Sequence, residues 1–519
     1  MTAFINVGNG SLDYTINWGM GGFGYDTDGN PTSLVSGDGT AVQLLPSSET
    51  PLARKGKRIT KAGRNIFAFT DHTAFTASGA EAAAYTLSTV SGYNGIAAGD
   101  SVEGVAQGSK TGSTAMVKLV CNGTQAGAAN YFITSASSLA RTTGDEKFGM
   151  WVYASTDVTT NSTWAPTIAV NASTANTFNG DAADYTFSFN SNQIRPGWNF
   201  LVFKCDATSH PYGITKSGVG TAKFATTGLN KFRIYMTVTA TKTLTLYFDT
   251  IWSDFATKPA VVLGFDTNGD TNLLNYTYPA LAAYGMRGYI ACIGNGGVDD
   301  NTNNRLLDYN NYVNNSAQLT SLDVVHAAGW DIINHTLNHT NTSNSGTART
   351  QLLTDAQLQY QVKAQTAWQL AHGYDNGKEF YAAPQGAWDP VTINRLQTWG
   401  YKLLRMGQQG MNRTRTVFGY DNPGNMGWYA LETPHTGVAS YDQWIEHIQT
   451  LLDYGSDVLA VAHHTIADVG TVTGSSVTGN SLQIYSTSLR MLCAWLKAKQ
   501  DAGELTVMTL SDLHYERLA

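Results

Sequence analysis

The chain has 519 residues, a formal net charge of -7, 14% charged and 42% hydrophobic side chains. That length exceeds one ordinary core, so two or three domains are expected, and the negative balance argues against nucleic acid or an anionic membrane as partner. No apolar run approaches the roughly 20 residues needed to cross a bilayer.

Residues 1–6 show no basic stretch leading into an apolar one, so no secretory signal is read there. A chain of this kind acting outside a cell would leave by another route, such as lysis as part of a virus particle. Residues 1–65 are rich in Gly, Asp and Thr with weak periodicity, and read as a small module or an attachment segment. From 66 to 257, short alternating runs lie between turn signals, at 147–153, 198–203, 231–238 and 243–249. Period-two patterning with Thr, Tyr, Phe and Val predicts antiparallel strands in a β-sandwich.

After Lys258 strand-like and helix-like runs alternate. The pattern predicts strands at 261–265, 288–293, 380–383, 402–405, 458–462 and 505–509. It predicts helices at 276–284, 354–372, 391–398, 442–453 and 481–499. Repeated βα units over 258–519 imply a parallel sheet or (β/α) barrel, with catalytic groups at the C-terminal strand ends. Cys121, Cys205, Cys292 and Cys493 are far apart and read as isolated thiols, with no disulfide framework or cysteine zinc site.

The richest stretch is Asn334-His335-Thr336-Leu337-Asn338-His339, directly after the apolar run 330–333. Two imidazoles four residues apart can face one metal ion. The residue after the first is Thr, so this is not the H-E-x-x-H of zinc proteases, and a third ligand and a base must come from elsewhere. Asp266 follows the strand at 261–265, with Asp270 four residues on. Pro384 to Trp388 follow 380–383, and His463 and His464 follow 458–462. If these strands share a barrel, the groups converge on one mouth, as metal-assisted hydrolysis requires. Trp388, Trp428, Tyr429 and His435 could line a sugar cleft.

On these residues the sequence resembles the polysaccharide deacetylase family, with its NodB-type homology domain, over about 258–518. F-D-D-G is similar to Phe265-Asp266-Thr267-Asn268-Gly269, and H-[S/T]-x-x-H is met by His335 to His339. A-x-P-x-G resembles Ala382 to Gly386, the apolar strand ending in His resembles Val461 to His464, and the closing strand T-L-S-E-L resembles residues 509–513 within the run 506–513. The resemblance implies a distorted (β/α) barrel and a divalent metal, Zn2+ first. It implies Asp266 as base, His335 and His339 as metal ligands, and His463, with His464 second, as general acid. The family's second Asp is replaced by Thr267 or Asn268. The third metal oxygen then comes from Asp270, Asn268, Asp266 or water; Asp270 is taken first. The Arg that another branch carries at motif three is Ala382 here. Arg405, at a later strand end, is the candidate to replace it and is grouped with Trp388, Trp428 and His435 as substrate-contacting.

The expected activity is metal-dependent removal of O- or N-acetyl groups from a bacterial surface polysaccharide. The β-sandwich resembles carbohydrate-binding jelly rolls, whose closing strand is similar to 246–251. The expected setting is a phage tail acting on host O-antigen or capsule, with other tail proteins and a homo-oligomer as partners and no nucleic acid or membrane. A cellular N-acetylglucosamine deacetylase acting on chitin or peptidoglycan, and an inactive carbohydrate-binding attachment protein, are the alternatives.

Overall fold

In the computed structural model the described residues are 23–25, 31–35, 41–43, 59–61, 64–78, 85–92, 95–101, 106–109, 111–121, 128–134, 147–155, 167–173, 184–189, 197–204, 214–217, 231–238, 244–253, 256–267, 269, 271–294, 316–337, 355–384, 395–396, 398–405, 414–416, 426–430, 441–462, 466–467, 472–473, 476–477 and 484–515. The first part of the chain builds two six-stranded antiparallel sheets. One runs Gly197–Lys204, Lys147–Ala154, Leu244–Ser253, Ala115–Cys121, Tyr85–Ser91, with Arg64–Ala68 also paired to Leu244–Ser253. The other runs Ile214–Ser217, Asp184–Phe189, Thr167–Ser173, Lys231–Val238, Ala128–Thr134, Phe75–Ser78. All four runs that alternate in sequence are strands. The boundary expected at 65/66 falls inside the strand Arg64–Ala68. Before it, Phe23–Tyr25, Pro31–Val35 and Ala41–Gln43 form a separate three-stranded sheet.

Alternation predicts one buried and one wet face, yet Lys147–Ala154 is buried at every position after the first. Val152 and Ala154 share a core with Phe75 and Ile234 of the second sheet. Tyr153 points to the opposite face. There Tyr153 and Tyr247 join one apolar cluster with Tyr381, Leu396 and Tyr401 from the second half, with Trp198 and Trp399 packed against it. The aromatic face of this sheet is therefore covered by the rest of the chain.

Among the described residues, the main sheet of the second half has nine strands: β1 Ala260–Phe265, β2 Tyr289–Cys292, β3 Asp331–Asn334, β4 Phe380–Ala382, β5 Leu403–Arg405, β6 Thr414–Thr416, β7 Met426–Ala430, β8 Asp457–Ala462 and β9 Thr506–Val507. Their order is β6-β5-β4-β3-β2-β1-β8-β7, with β9 also on β1; only β6 is antiparallel. The edge strands β6 and β7 approach each other without pairing, so the sheet is a curled, distorted barrel rather than a closed ring. Helices α1 Tyr278–Ala282, α2 Ser316–Ala327, α3 Asp355–Ala371, α4 Tyr441–Asp453, α5 Ser486–Asp501 and α6 Leu510–Tyr515 lie between or after the strands. β1 and β8 are buried at every position, as uninterrupted apolar runs predict for central parallel strands.

Two expectations need correction. The closing strand stops at Val507, and Leu510–Tyr515 is a helix. Thr509 and Asp512 form a capping box: the Asp512 N–H donates to Thr509 Oγ1 at 3.1 Å, and the Thr509 N–H to Asp512 Oδ2 at 3.4 Å. The helix expected from 481 begins at Ser486. Neither α2 nor β7 was anticipated.

At the start of β3, far from the C-terminal strand ends, Asp331 is buried and accepts the Ser511 N–H at 2.7 Å. Burial pushes its carboxyl up to about 6, and Asp512 nearby adds to this. A carboxyl raised on folding holds its proton longer in the folded than in the unfolded chain. Its contribution to stability is therefore fullest below its unfolded value near 4 and declines as pH rises through 6, by on the order of 3 kcal/mol. Urea unfolding at pH 4.5 and 7.5 should show Asp331→Asn losing less stability than wild type over that interval. Equal losses would exclude Asp331 as the source.

Candidate active site

β1 ends on Phe265, and the next residue, Asp266, is fixed by its own N–H, which donates to the Ala462 carbonyl at 2.8 Å. Ala462 is the last residue of β8 and directly precedes His463. From β5, Arg405 meets the Asp266 carboxylate with both terminal nitrogens: Nη2 donates to Oδ2 at 2.7 Å and Nη1 donates to Oδ1. Nη1 also reaches the Tyr289 hydroxyl at 3.3 Å. Gly264 makes room for this ring, since a Cβ there would lie 2.1 Å from it. Gly269, with φ 75°, adopts the left-handed backbone and lets the chain pass α2, where a Cβ would lie 2.4 Å from the Gln318 carbonyl oxygen.

The side chains of Arg405, Asp266 and His335 are 3, 10 and 4% exposed, so the group is nearly dry. Burial alone would weaken the Arg405 charge; the Asp266 carboxylate and Tyr289 outweigh it, and the guanidinium is held above its usual range. Tyr289 is pushed up to about 12 by burial and stays a neutral phenol. A two-pronged Arg–carboxylate contact in so little water keeps both partners charged. Among the described residues, none hydrogen-bonds the buried Arg405 Nε.

His335 follows β3. Its N–H donates to the Cys292 carbonyl at 3.2 Å, and its ring Nδ1 lies 2.9 Å from the Ala382 carbonyl. A carbonyl only accepts, so Nδ1 carries a proton, and in the neutral ring Nε2 is the nitrogen left with a lone pair. Nε2 lies 4.0 Å from Asp266 Oδ2. A histidine whose second nitrogen donates to a backbone carbonyl has the support that metal-binding histidines use. An imidazole nitrogen beside a carboxylate also suits a borderline divalent ion. The donors present thus fit a metal, although among the described residues no group of three or more His, Cys, Asp or Glu could hold one.

The helix α3 ties down the neighbouring strand ends. Gln365 Nε2 donates to the Cys292 carbonyl at 2.9 Å, and its Oε1 accepts the Gly294 N–H at 2.7 Å. Gln369 Nε2 donates to the Ile332 carbonyl at 2.7 Å. Three glutamines at helical spacing, 361, 365 and 369, are buried, an unusual polar face that serves the edges of β2 and β3. Nothing in the sequence pattern alone marks them, apart from their recurrence every fourth residue in an otherwise mixed helix.

Of the residues singled out in sequence, Asp266, His335 and Arg405 come together. Arg405, grouped with substrate-contacting residues, is buried and engaged by Asp266. Thr267 follows Asp266 and is half-buried. Trp428 and Tyr429 lie on β7, with side chains outside the described set. Asn268, Asp270, His339, Trp388, His435, His463 and His464 lie outside the described residues.

Residues 239–404 match the family described as polysaccharide deacetylase. The match begins before β1 and ends one residue short of Arg405. Among curated proteins, none matches the chain. Several solved structures are similar to it. A family 4 acetyl xylan esterase from Clostridium thermocellum, in complex with a cobalt ion, is 13% identical, covers 50% of this chain and 91% of its own, with a TM-score of 0.29. A family 4 carbohydrate esterase from Bacillus anthracis is 13% identical over 50% of this chain and 84% of its own, with a TM-score of 0.28. A CE4 family pseudoenzyme from the same organism is 12% identical over 49% of this chain and 65% of its own, with a TM-score of 0.26.

Proposed function

From the polysaccharide deacetylase domain that the chain carries at 239–404, we propose that this protein is a metal-dependent hydrolase of acetyl groups on a bacterial surface polysaccharide. The observation that carries this reading is the dry group at the strand ends. There Asp266 is kept ionised by Arg405 and faces the Nε2 of His335. His335 and His339, with an oxygen from Asp270, Asn268, Asp266 or water, would hold the metal, with Zn2+ the first choice. When bound, the metal supplies Lewis acidity toward the acetyl carbonyl and toward water.

The remaining steps belong to the chain. Asp266 takes a proton from the attacking water, and Arg405 keeps that carboxylate charged and oriented until it does. His463, whose preceding residue is bonded to the Asp266 backbone, delivers a proton to the departing sugar oxygen or nitrogen. His464 is the second choice. Trp388, Trp428 and His435 are assigned to the sugar-binding cleft. The two antiparallel sheets are assigned a carbohydrate-binding, jelly-roll-like role. On composition, we place the chain in a phage tail or outside the cell, acting on O-antigen or capsule beside other tail proteins.

Metal analysis with acetate release from acetylated polysaccharides tests this. Bound divalent metal and acetate from a surface polysaccharide are expected, both lost on chelation and regained on adding metal. Metal without acetate from any acetylated glycan would leave an attachment protein, and release only from N-acetylglucosamine oligomers would leave a cellular deacetylase.

A further inference from the structure

We propose that Asn334 is a positioning residue, whose carboxamide holds the turn that aims His335 at Asp266. The proposal rests on the deacetylase reading of this site for its consequences in catalysis, though not for its geometry. Asn334 is the last residue of β3 and is fully buried. Its Oδ1 accepts the Thr336 N–H at 2.9 Å. Its Nδ2 lies 2.8 Å from the Val362 carbonyl, 2.9 Å from the Tyr401 hydroxyl and 3.1 Å from Thr366 Oγ1. One side chain thus bridges three places: the turn after β3, the backbone of α3, and the segment that enters β5 and carries Arg405.

The turn needs holding. Thr336 has φ 62°, and among the described residues it is the only non-glycine with positive φ. A β-branched residue meets its own backbone there, so the conformation persists only where its surroundings impose it. Two bonds restrain it: Asn334 Oδ1 accepts the Thr336 N–H, and the Gln361 carbonyl accepts the Leu337 N–H at 3.1 Å. Without the first, a buried N–H loses this acceptor and the strained residue loses one of the bonds that hold it left-handed. His335 is directly upstream of that residue, and its bond to the Ala382 carbonyl depends on where the turn points it. An asparagine that only satisfied a strand end would not need to join the turn to both α3 and Tyr401.

The test uses the full chain with 15N-labelled histidine, free of metal, and reads the His335 ring tautomer by NMR. Wild type is expected to show Nδ1 protonated. Asn334→Ala should move His335 toward a mixture of tautomers and lower Co2+ affinity at least tenfold, measured against a chromogenic chelator. The double variant Asn334→Ala with Thr336→Gly should recover the tautomer, and the affinity to within about threefold, because glycine takes the left-handed backbone without help. Tyr401→Phe, which leaves the Thr336 bond in place, should keep both. An unchanged tautomer in Asn334→Ala, or a loss that Thr336→Gly does not recover, overturns the proposal. If Asn334→Ala fails to fold, the double variant is compared with wild type, and a lost tautomer there overturns it equally. Wild-type protein that takes up no Co2+ and releases no acetate removes the deacetylase reading, and the metal-free tautomer still decides this one.

Discussion

Arg405→Met is expected to lower acetate release about 100-fold or more and to move the remaining activity to higher pH. The substitution keeps most of the side-chain volume and removes the charge that Asp266 meets through two nitrogens. What stays behind is a carboxylate in a nearly dry site. Breaking a buried pair by removing one partner typically costs about 3–5 kcal/mol, because the other charge is left uncompensated. Asp266 can avoid that penalty by taking up a proton, and a protonated carboxyl is no base. Rate is therefore lost at neutral pH and partly regained as pH rises. Arg405→Lys restores a charge without the planar fork, so it should recover part of the rate, staying about tenfold below wild type. Release of acetate measured from pH 5 to 10, with urea unfolding of the same variants, checks both effects. A wild-type pH profile in Arg405→Met would show that Arg405 does not govern Asp266.

That partnership also shows where sequence reading stops. The buried strands β1 and β8 are legible because parallel strands covered on both faces are uninterrupted apolar runs. Asp266 and His335 are legible because polar groups directly after such runs fall at the catalytic end of the sheet. The bond between Asp266 and Arg405 spans 139 residues, and nothing local in either segment announces it. In sequence Arg405 was readable only as an arginine at a strand end, grouped with substrate-contacting residues. Asn334 was hidden differently, as one asparagine in a chain rich in them, and only the left-handed Thr336 beside it gives it meaning. The capping box at Thr509 and Asp512 was present in sequence, but the apolar run before it carried the strand reading too far. The covered aromatic face at Tyr153 could not be foreseen from alternation, because alternation reports the strand's own faces and not what another part of the chain lays upon them.

Asp266→Asn is expected to retain the metal and lose turnover by about 10²–10⁴-fold, the range for removing a general base, whereas His335→Ala should lose metal and turnover together. The contrast separates two roles open to Asp266, base and metal ligand. Both of its oxygens already accept from Arg405, and His335 Nε2 stands 4.0 Å from the nearer one. A carboxylate so engaged is oriented by its arginine, which suits a base that must stay ionised and fixed. His335 has its other nitrogen committed to a carbonyl, which suits a ligand. Asn at 266 preserves shape and one acceptor for Arg405 but leaves that guanidinium's charge unmatched, so stability should also fall. Unfolding curves must therefore accompany the rates, and turnover must be taken where the variant is folded. Metal content by mass spectrometry decides the rest. Asp266→Asn with wild-type metal leaves the third ligand to Asp270, Asn268 or water. Asp266→Asn that loses its metal makes Asp266 itself that ligand, and the base must then be sought elsewhere around the curled sheet.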